Sequence, residues 1–236
     1  MNARAKWAYV AVWGTFFAVI AIGCNPITTT AFLLRDEGKI PTEMPLRPHL
    51  ATNGEAKEEV KLIVLCSIPG NSPMAFAGVD RQIATLITKK FPELYLANGS
   101  KERVKIVPAA TVDKFQASHP ESRYMNPGDL GRQLGADYVL DITLSALQIY
   151  EPGSANQVYQ GRADVNVDVY DCTRRSKDKF YTYVHPFTYP QGMVRDASAI
   201  PLDRFKMEFM HKLASELVLK HIDHKPSEGI AAASVR

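Results

Sequence analysis

What this chain lacks most plainly is an excess of charge of one sign. Lys and Arg number 28 against 25 Asp and Glu, and the excess of three falls to one once Arg4 and Lys6 are set aside with the first 23 residues, which hold no acid. So even a balance provides no basic field for nucleic acid, and no Lys/Arg cluster interleaved with aromatics supplies a local one. A phosphate-cradling loop of the G-x4-G-K-S/T type is missing too, since the turn "GNSPMAFAG" has glycines but no lysine. Cysteine is scarce, present only at 24, 66 and 172. His221 and His224, three residues apart, therefore have neither a Cys nor a carboxylate cluster to complete a metal site, and no metal, cofactor or catalytic residue is expected. With 46% hydrophobic and 22% charged residues, what remains is an ordinary globular composition with one anomaly at its start.

That anomaly is the uncharged run "WAYVAVWGTFFAVIAI", residues 7–22, which follows Arg4 and Lys6 and is closed by Gly23 and Cys24. As a helix it spans about 24 Å at ~1.5 Å per residue, short of a ~30 Å hydrocarbon core. Its size is that of a targeting signal, residues 1–23. Ala21, Ile22, Gly23 and Cys24 resemble the lipobox of bacterial lipoproteins. The resemblance implies cleavage after Gly23 and a diacylglycerol thioether on Cys24, whose two acyl chains suffice for stable anchoring. It also implies the outer membrane rather than the inner, because Asn25 stands where the retention signal has Asp. The residues themselves leave a second reading open, an uncleaved signal anchor in which Cys24 is one more apolar position. Both readings put the residues after 35 outside the cytoplasmic membrane.

Residues 24–59 carry Pro26, Pro41, Pro45 and Pro48 with little periodicity and read as a flexible tether. From residue 60 the pattern is that of a folded unit. "VKLIVLCSI" is a strand covered on both faces. "DRQIATLITKKF" is a helix over 80–91, with Asp80 as its cap and Lys89 and Lys90 in its last turn. "RVKIVPA" is a strand and "ATVDKFQA" a turn or two of helix. Pro127 and Asp129 open a short helix that Gly135 ends. Residues 138–150 form a strand with Leu140, Ile142, Leu144 and Ala146 on one face. Residues 158–170 alternate strictly, Ala163, Val165, Val167 and Val169 inward and Arg162, Asp164, Asn166 and Asp168 toward water.

"FYTYVHPFTY" returns as the partner strand after the charged turn "DCTRRSKDK". Residues 201–222 form an amphipathic helix, with Leu213 among its apolar stripe and Lys212 on its polar side, where Lys212→Ala should be nearly silent. The fold class is α/β of the α+β kind, a mixed sheet with flanking helices in the order β-α-β-α-β-β-β-α over 60–222, before a frayed tail at 223–236.

"LGADYVL", residues 134–140, followed by its strand and by the strand "VNVDVYD", resembles the periplasmic α/β domain shared by the curli channel CsgG, the polysaccharide-export lipoprotein PelC, the penicillin-binding-protein activator LpoB and the N-terminal domain of TolB. The resemblance implies a non-catalytic envelope lipoprotein that works by assembly or docking, partnered by another envelope protein or by copies of itself. The curli channel's membrane hairpins have no counterpart here. Four polar residues in a row on a lipid face cost ~2–4 kcal/mol per charge near the midplane. In the assembly reading, the hairpin edge with Arg162, Arg174, Arg175, Lys177 and Lys179 is the candidate interaction surface, against the plainer view that it is a solvated loop. An envelope hydrolase or metal-dependent enzyme using the histidines and exposed aspartates is the alternative function. Asp164 and Asp168 read as solvated alternation, Cys66 as a buried hydrophobe with a Cys66–Cys172 disulfide left open, and His119 and His185 as loop residues beside prolines.

Overall fold

A computed structural model describes residues 39–42, 46, 59–69, 76–98, 103–174 and 178–225. The signal segment, Cys24, Arg175 and Lys177 lie outside the described residues. The elements in order are β1 (Glu59–Ser67), α1 (Val79–Ala97), β2 (Arg103–Ile106), α2 (Ala109–Ser118), a 3-10 turn (Pro120–Tyr124), α3 (Pro127–Gln133), β3 (Tyr138–Tyr150), β4 (Val158–Asp171), β5 (Tyr181–Tyr189), β6 (Arg195–Asp196) and α4 (Leu202–Leu219). They build one mixed sheet ordered β2-β1-β3-β4-β5, with β6 added beside β4. β1 is parallel to β2 and β3, and the β3, β4 and β5 pairings are antiparallel.

Two apolar layers cover the sheet unequally. The larger core includes Val60, Leu62 and Val64 of β1, Ile83, Ile87 and Phe91 of α1, and Phe205, Phe209 and Leu213 of α4. The smaller, on the other face, joins Ile63, Val139, Tyr170 and Cys172 to Val112 of α2 and Leu130 of α3. β1 thus alternates between two buried faces, which is why its sequence is a continuous apolar run rather than a period-two one. α3 lies very close to the sheet: a Cβ at Gly131 would come within 2.6 Å of Val139 Cγ2 and would also meet Cys172 Sγ. Asn126 caps that helix by accepting from Gly128 N at 2.9 Å, and Gly135 leaves it at φ 68°. Asp137 then locks the start of β3 to β1, accepting from Lys61 N at 2.8 Å while its own N–H donates to Lys61 O at 2.8 Å.

Several expectations are corrected. α1 does not stop at Phe91; it continues through Pro92 to Ala97 with Gly78 as N-cap and no basic residue in its last turn, because Tyr95 carries its apolar stripe onward and is buried. Ala146 leaves the inward face of β3: its φ of 49° marks a bulge between Ser145 and Gln148 that turns Leu147 and Ile149 inward instead. His185 is in β5 and not in a loop, its Nε2 3.2 Å from Glu216 Oε2 of α4. Asp168 is buried, and so is Lys212. Part of the stretch read as tether, and part of the tail read as frayed, also pack on the domain. Ile40 bridges His224, Thr42 N donates to Asp223 Oδ1 at 2.7 Å and its hydroxyl to Lys220 O at 2.9 Å. Leu46 is fully buried, its carbonyl accepting from the Tyr95 hydroxyl at 3.2 Å.

Candidate functional site

The chain leaves β1 for α1 on one face of the sheet and returns from β2 through α2 and α3 on the other. A parallel pair whose crossovers take opposite faces opens a crevice outside the strands' carboxyl ends. That crevice is present as a cleft of about 440 Å³. Its floor is the end of β1, Val64 to Ser67, and Asp141 of β3; its walls include Asp80, Arg81 and Ala84 of α1, Val112, Asp113 and Gln116 of α2, and Ser122, Met125 and Leu130 beyond.

Three carboxylates meet one guanidinium here. Arg81 Nη2 is 3.0 Å from Asp113 Oδ2, with both side chains more than half exposed, so the pair is a rim feature contributing at most about 1 kcal/mol. Asp80 sits in the first turn of α1, where the helix dipole favours its charge. Asp141 is different: burial, then its cross-strand partner Asp168, hold its carboxyl above the usual range, with Lys179 pulling the other way. Asp168 accepts from the Thr182 hydroxyl and from Lys179 Nζ, each at 2.8 Å, so it is not the solvated carboxylate that strand alternation suggested. Burial, with Asp80 and Asp141 adding to it, pushes the Cys66 thiol up to about 12. At neutral pH that thiol stays protonated and is no nucleophile. The cleft therefore offers hydrogen-bond acceptors and negative charge beside the apolar side chains of β1 and α2.

The five basic residues expected to form one surface stand as follows. Arg174 Nε is 3.0 Å from Asp171 Oδ2, and its guanidinium lies 4.7 Å over the Phe180 ring; Lys179 is close by on Asp168. Arg162 pairs with Glu151 at 3.2 Å at the other end of β4, nine residues from Asp171, or about 30 Å along a strand. The structure brings Arg174 and Lys179 together and leaves Arg162 apart. The histidines are also dispersed. His221 is buried with Nε2 3.1 Å from the Tyr183 hydroxyl, His224 turns Nδ1 to Ile222 O at 2.9 Å, and His119 stacks on Phe115 at 4.5 Å. Among the described residues no group of three or more His, Cys, Asp or Glu side chains is placed to hold a metal ion. Cys66 and Cys172 are free thiols.

No family model matches the chain, and no curated protein matches it. Among solved structures it is similar to a PelC dodecamer from Paraburkholderia phytofirmans, at 13% identity and a TM-score of 0.36 over 70% of this chain and 89% of that one. Lipoprotein GNA1162 from Neisseria meningitidis is 14% identical with a TM-score of 0.40, over 67% and 95% of the two chains. Protein XCC0632 from Xanthomonas campestris is 11% identical with a TM-score of 0.38, over 75% and 90%.

Sequence reading overlooked Asp113 and Asp141 as parts of one site. A signal for Asp141 was on view, the lone charge inside the apolar strand "YVLDITL". Its raised carboxyl makes a prediction whose sign follows from linkage. The folded state holds the proton more tightly than the unfolded chain, so stability is lost as pH rises through the carboxylate range. Asp141→Asn should therefore match the wild type in thermal melts at pH 3 and exceed it at pH 7. A variant less stable than wild type at pH 7 would show the Asp141 carboxylate to be well compensated.

Proposed function

We propose that this chain is a lipid-anchored, non-catalytic binding or assembly module of the bacterial cell envelope, facing the periplasm from the outer membrane, and that the cleft is where it holds its partner. The cleft's chemistry is the observation that carries the reading. Its floor mixes apolar side chains with the Asp141 carboxyl, its carboxylates outnumber its cations, and its thiol is protonated, a set suited to holding a cationic or hydrogen-bonding group rather than to bond cleavage. A partner protein's lysine or arginine side chain fits that description. The roles this reading allows are those of an accessory to secretion, to polysaccharide export or to an envelope complex.

One observation favours the enzymatic alternative. Asp141 and Asp168 face each other across the ladder in unlike surroundings, one carboxyl raised and the other held by Lys179 and Thr182, as in a general acid beside a charged neighbour. A single experiment tests the cleft and the anchoring together. The full chain is produced in a bacterial host, its intact mass is measured after membrane extraction, and tetralysine and tetraglutamate are titrated into it by calorimetry. A processed, acylated mass and saturable binding of tetralysine alone, weakened about tenfold in Asp113→Asn, are the expected results. Cys24→Ser should keep the apolar run and lose the acyl mass entirely, because the thioether needs the sulfur. A wild-type mass equal to the unprocessed chain removes lipidation, and indifference to both peptides removes the cleft.

A further inference from the structure

The chain enters its folded unit at one end. There Lys39 Nζ donates to Asn98 O at the close of α1, at 2.6 Å, and residues 40 and 42 bind the segment after α4. β1 and β2 begin at this end, as the Glu59–Arg103 pairing shows, and the connection from β4 to β5 returns there, since Tyr138 at the start of β3 pairs with Asp171. The cleft is at the opposite end, past Ser67 and around the first turn of α1.

Only fourteen residues lie between Cys24 and Lys39. Whatever path they take, they span no more than about 50 Å at 3.3–3.6 Å per residue. The two ends also differ in charge. With Glu59–Lys105 at 3.7 Å, Arg174–Asp171 at 3.0 Å and Lys179–Asp168 at 2.8 Å each counted as a neutral pair, the entry end holds Lys39, Arg103, Lys220 and Lys225 against Asp178 and Asp223. The cleft end carries Asp80, Asp141, Asp164, Asp196 and Asp203, none of them in an ion pair among the described residues, against Lys206 and the surplus cation of Arg195 and Arg204, which share Glu208.

We propose that the entry end of the domain seats on the anionic headgroups of the bilayer and that the acidic cleft points away from it. The proposal rests on membrane attachment at or before Cys24, which either reading of residues 1–23 supplies. A short leash holds the basic end within reach of the lipid, and charge selects it over the acidic end, which the same surface repels. The cleft is thereby left free for a partner.

The test uses the full chain in vesicles of phosphatidylglycerol and phosphatidylethanolamine carrying a headgroup-linked acceptor dye. Donor dye is attached at Asp178→Cys, at the entry end, or at Gln157→Cys, at the start of β4; the two sites are separated by the length of that strand, about 40 Å. The half-buried Cys66 and the buried Cys172, their thiols both pushed up to about 12, react far more slowly than an exposed cysteine. Energy transfer at least threefold stronger from position 178 is expected, falling toward equality in 0.5 M salt while the protein still floats with the vesicles. Equal transfer at low salt, or stronger transfer from position 157, in protein that floats overturns the orientation and leaves anchoring intact. Protein that fails to float overturns the anchoring reading, and the orientation with it.

Discussion

Replacing Leu213 with alanine should cost the fold about 2–5 kcal/mol. Leu213 is fully buried in the larger core, in the company of Phe205, Phe209 and Leu217 on the helix and of the sheet residues beneath. Removing three carbons there forfeits their transfer free energy and leaves a cavity that rings stacked as Tyr159 and Phe205 are, with centroids 4.6 Å apart, are poorly placed to fill. Urea unfolding followed by circular dichroism measures the loss, as a fall in midpoint at unchanged slope. A loss below about 1 kcal/mol would mean that α4 does not pack as described.

One residue earlier, the expected effect has the opposite sign. Lys212→Met should stabilise the protein by about 1–3 kcal/mol near neutral pH, the range for relieving a buried polar group of its desolvation. Lys212 is only 7% exposed, and its ammonium has no hydrogen-bond partner among the described residues. The carboxylates one turn away on either side are already engaged. Glu208 is held by Arg195, Arg204 and the Tyr189 hydroxyl, and Glu216 by His185. Burial, then Lys90, draws the Lys212 amine below its ordinary range. The folded state therefore releases this proton more readily than the unfolded chain, and wild-type stability climbs as pH rises toward the unfolded value near 10.5. The advantage of Lys212→Met should shrink over that climb. A methionine variant no more stable than wild type at pH 7 would show that the ammonium is solvated or paired.

Much of the architecture was legible in the sequence, because period and punctuation are local. The apolar run of β1, the strict alternation of Ala163, Val165, Val167 and Val169 and the wide stripe of α4 each predicted an element and its buried face, and all three hold. Strand order, however, depends on which distant segments pair, and the cleft exists only because α1 and α2 leave the sheet on opposite faces. Asp80, Asp113 and Asp141 belong to three separate elements, so no spacing along the chain announces them as neighbours.

What the sequence determined by itself was the kind and order of the main elements and, for β1, β4 and α4, the side that seeks the core. What only the tertiary structure decided was the surroundings of individual polar groups. Alternation assigns Asp164 and Asp168 to the same outward face, yet the second core layer and the Lys179 and Thr182 side chains bury Asp168 while Asp164 stays exposed. Helical periodicity placed Lys212 with the solvent-facing charges, and the packed α4 encloses it. A repeat of two or 3.6 residues states which way a side chain points; what covers that direction is supplied by residues dozens of positions away, and only their packing makes it wet or dry.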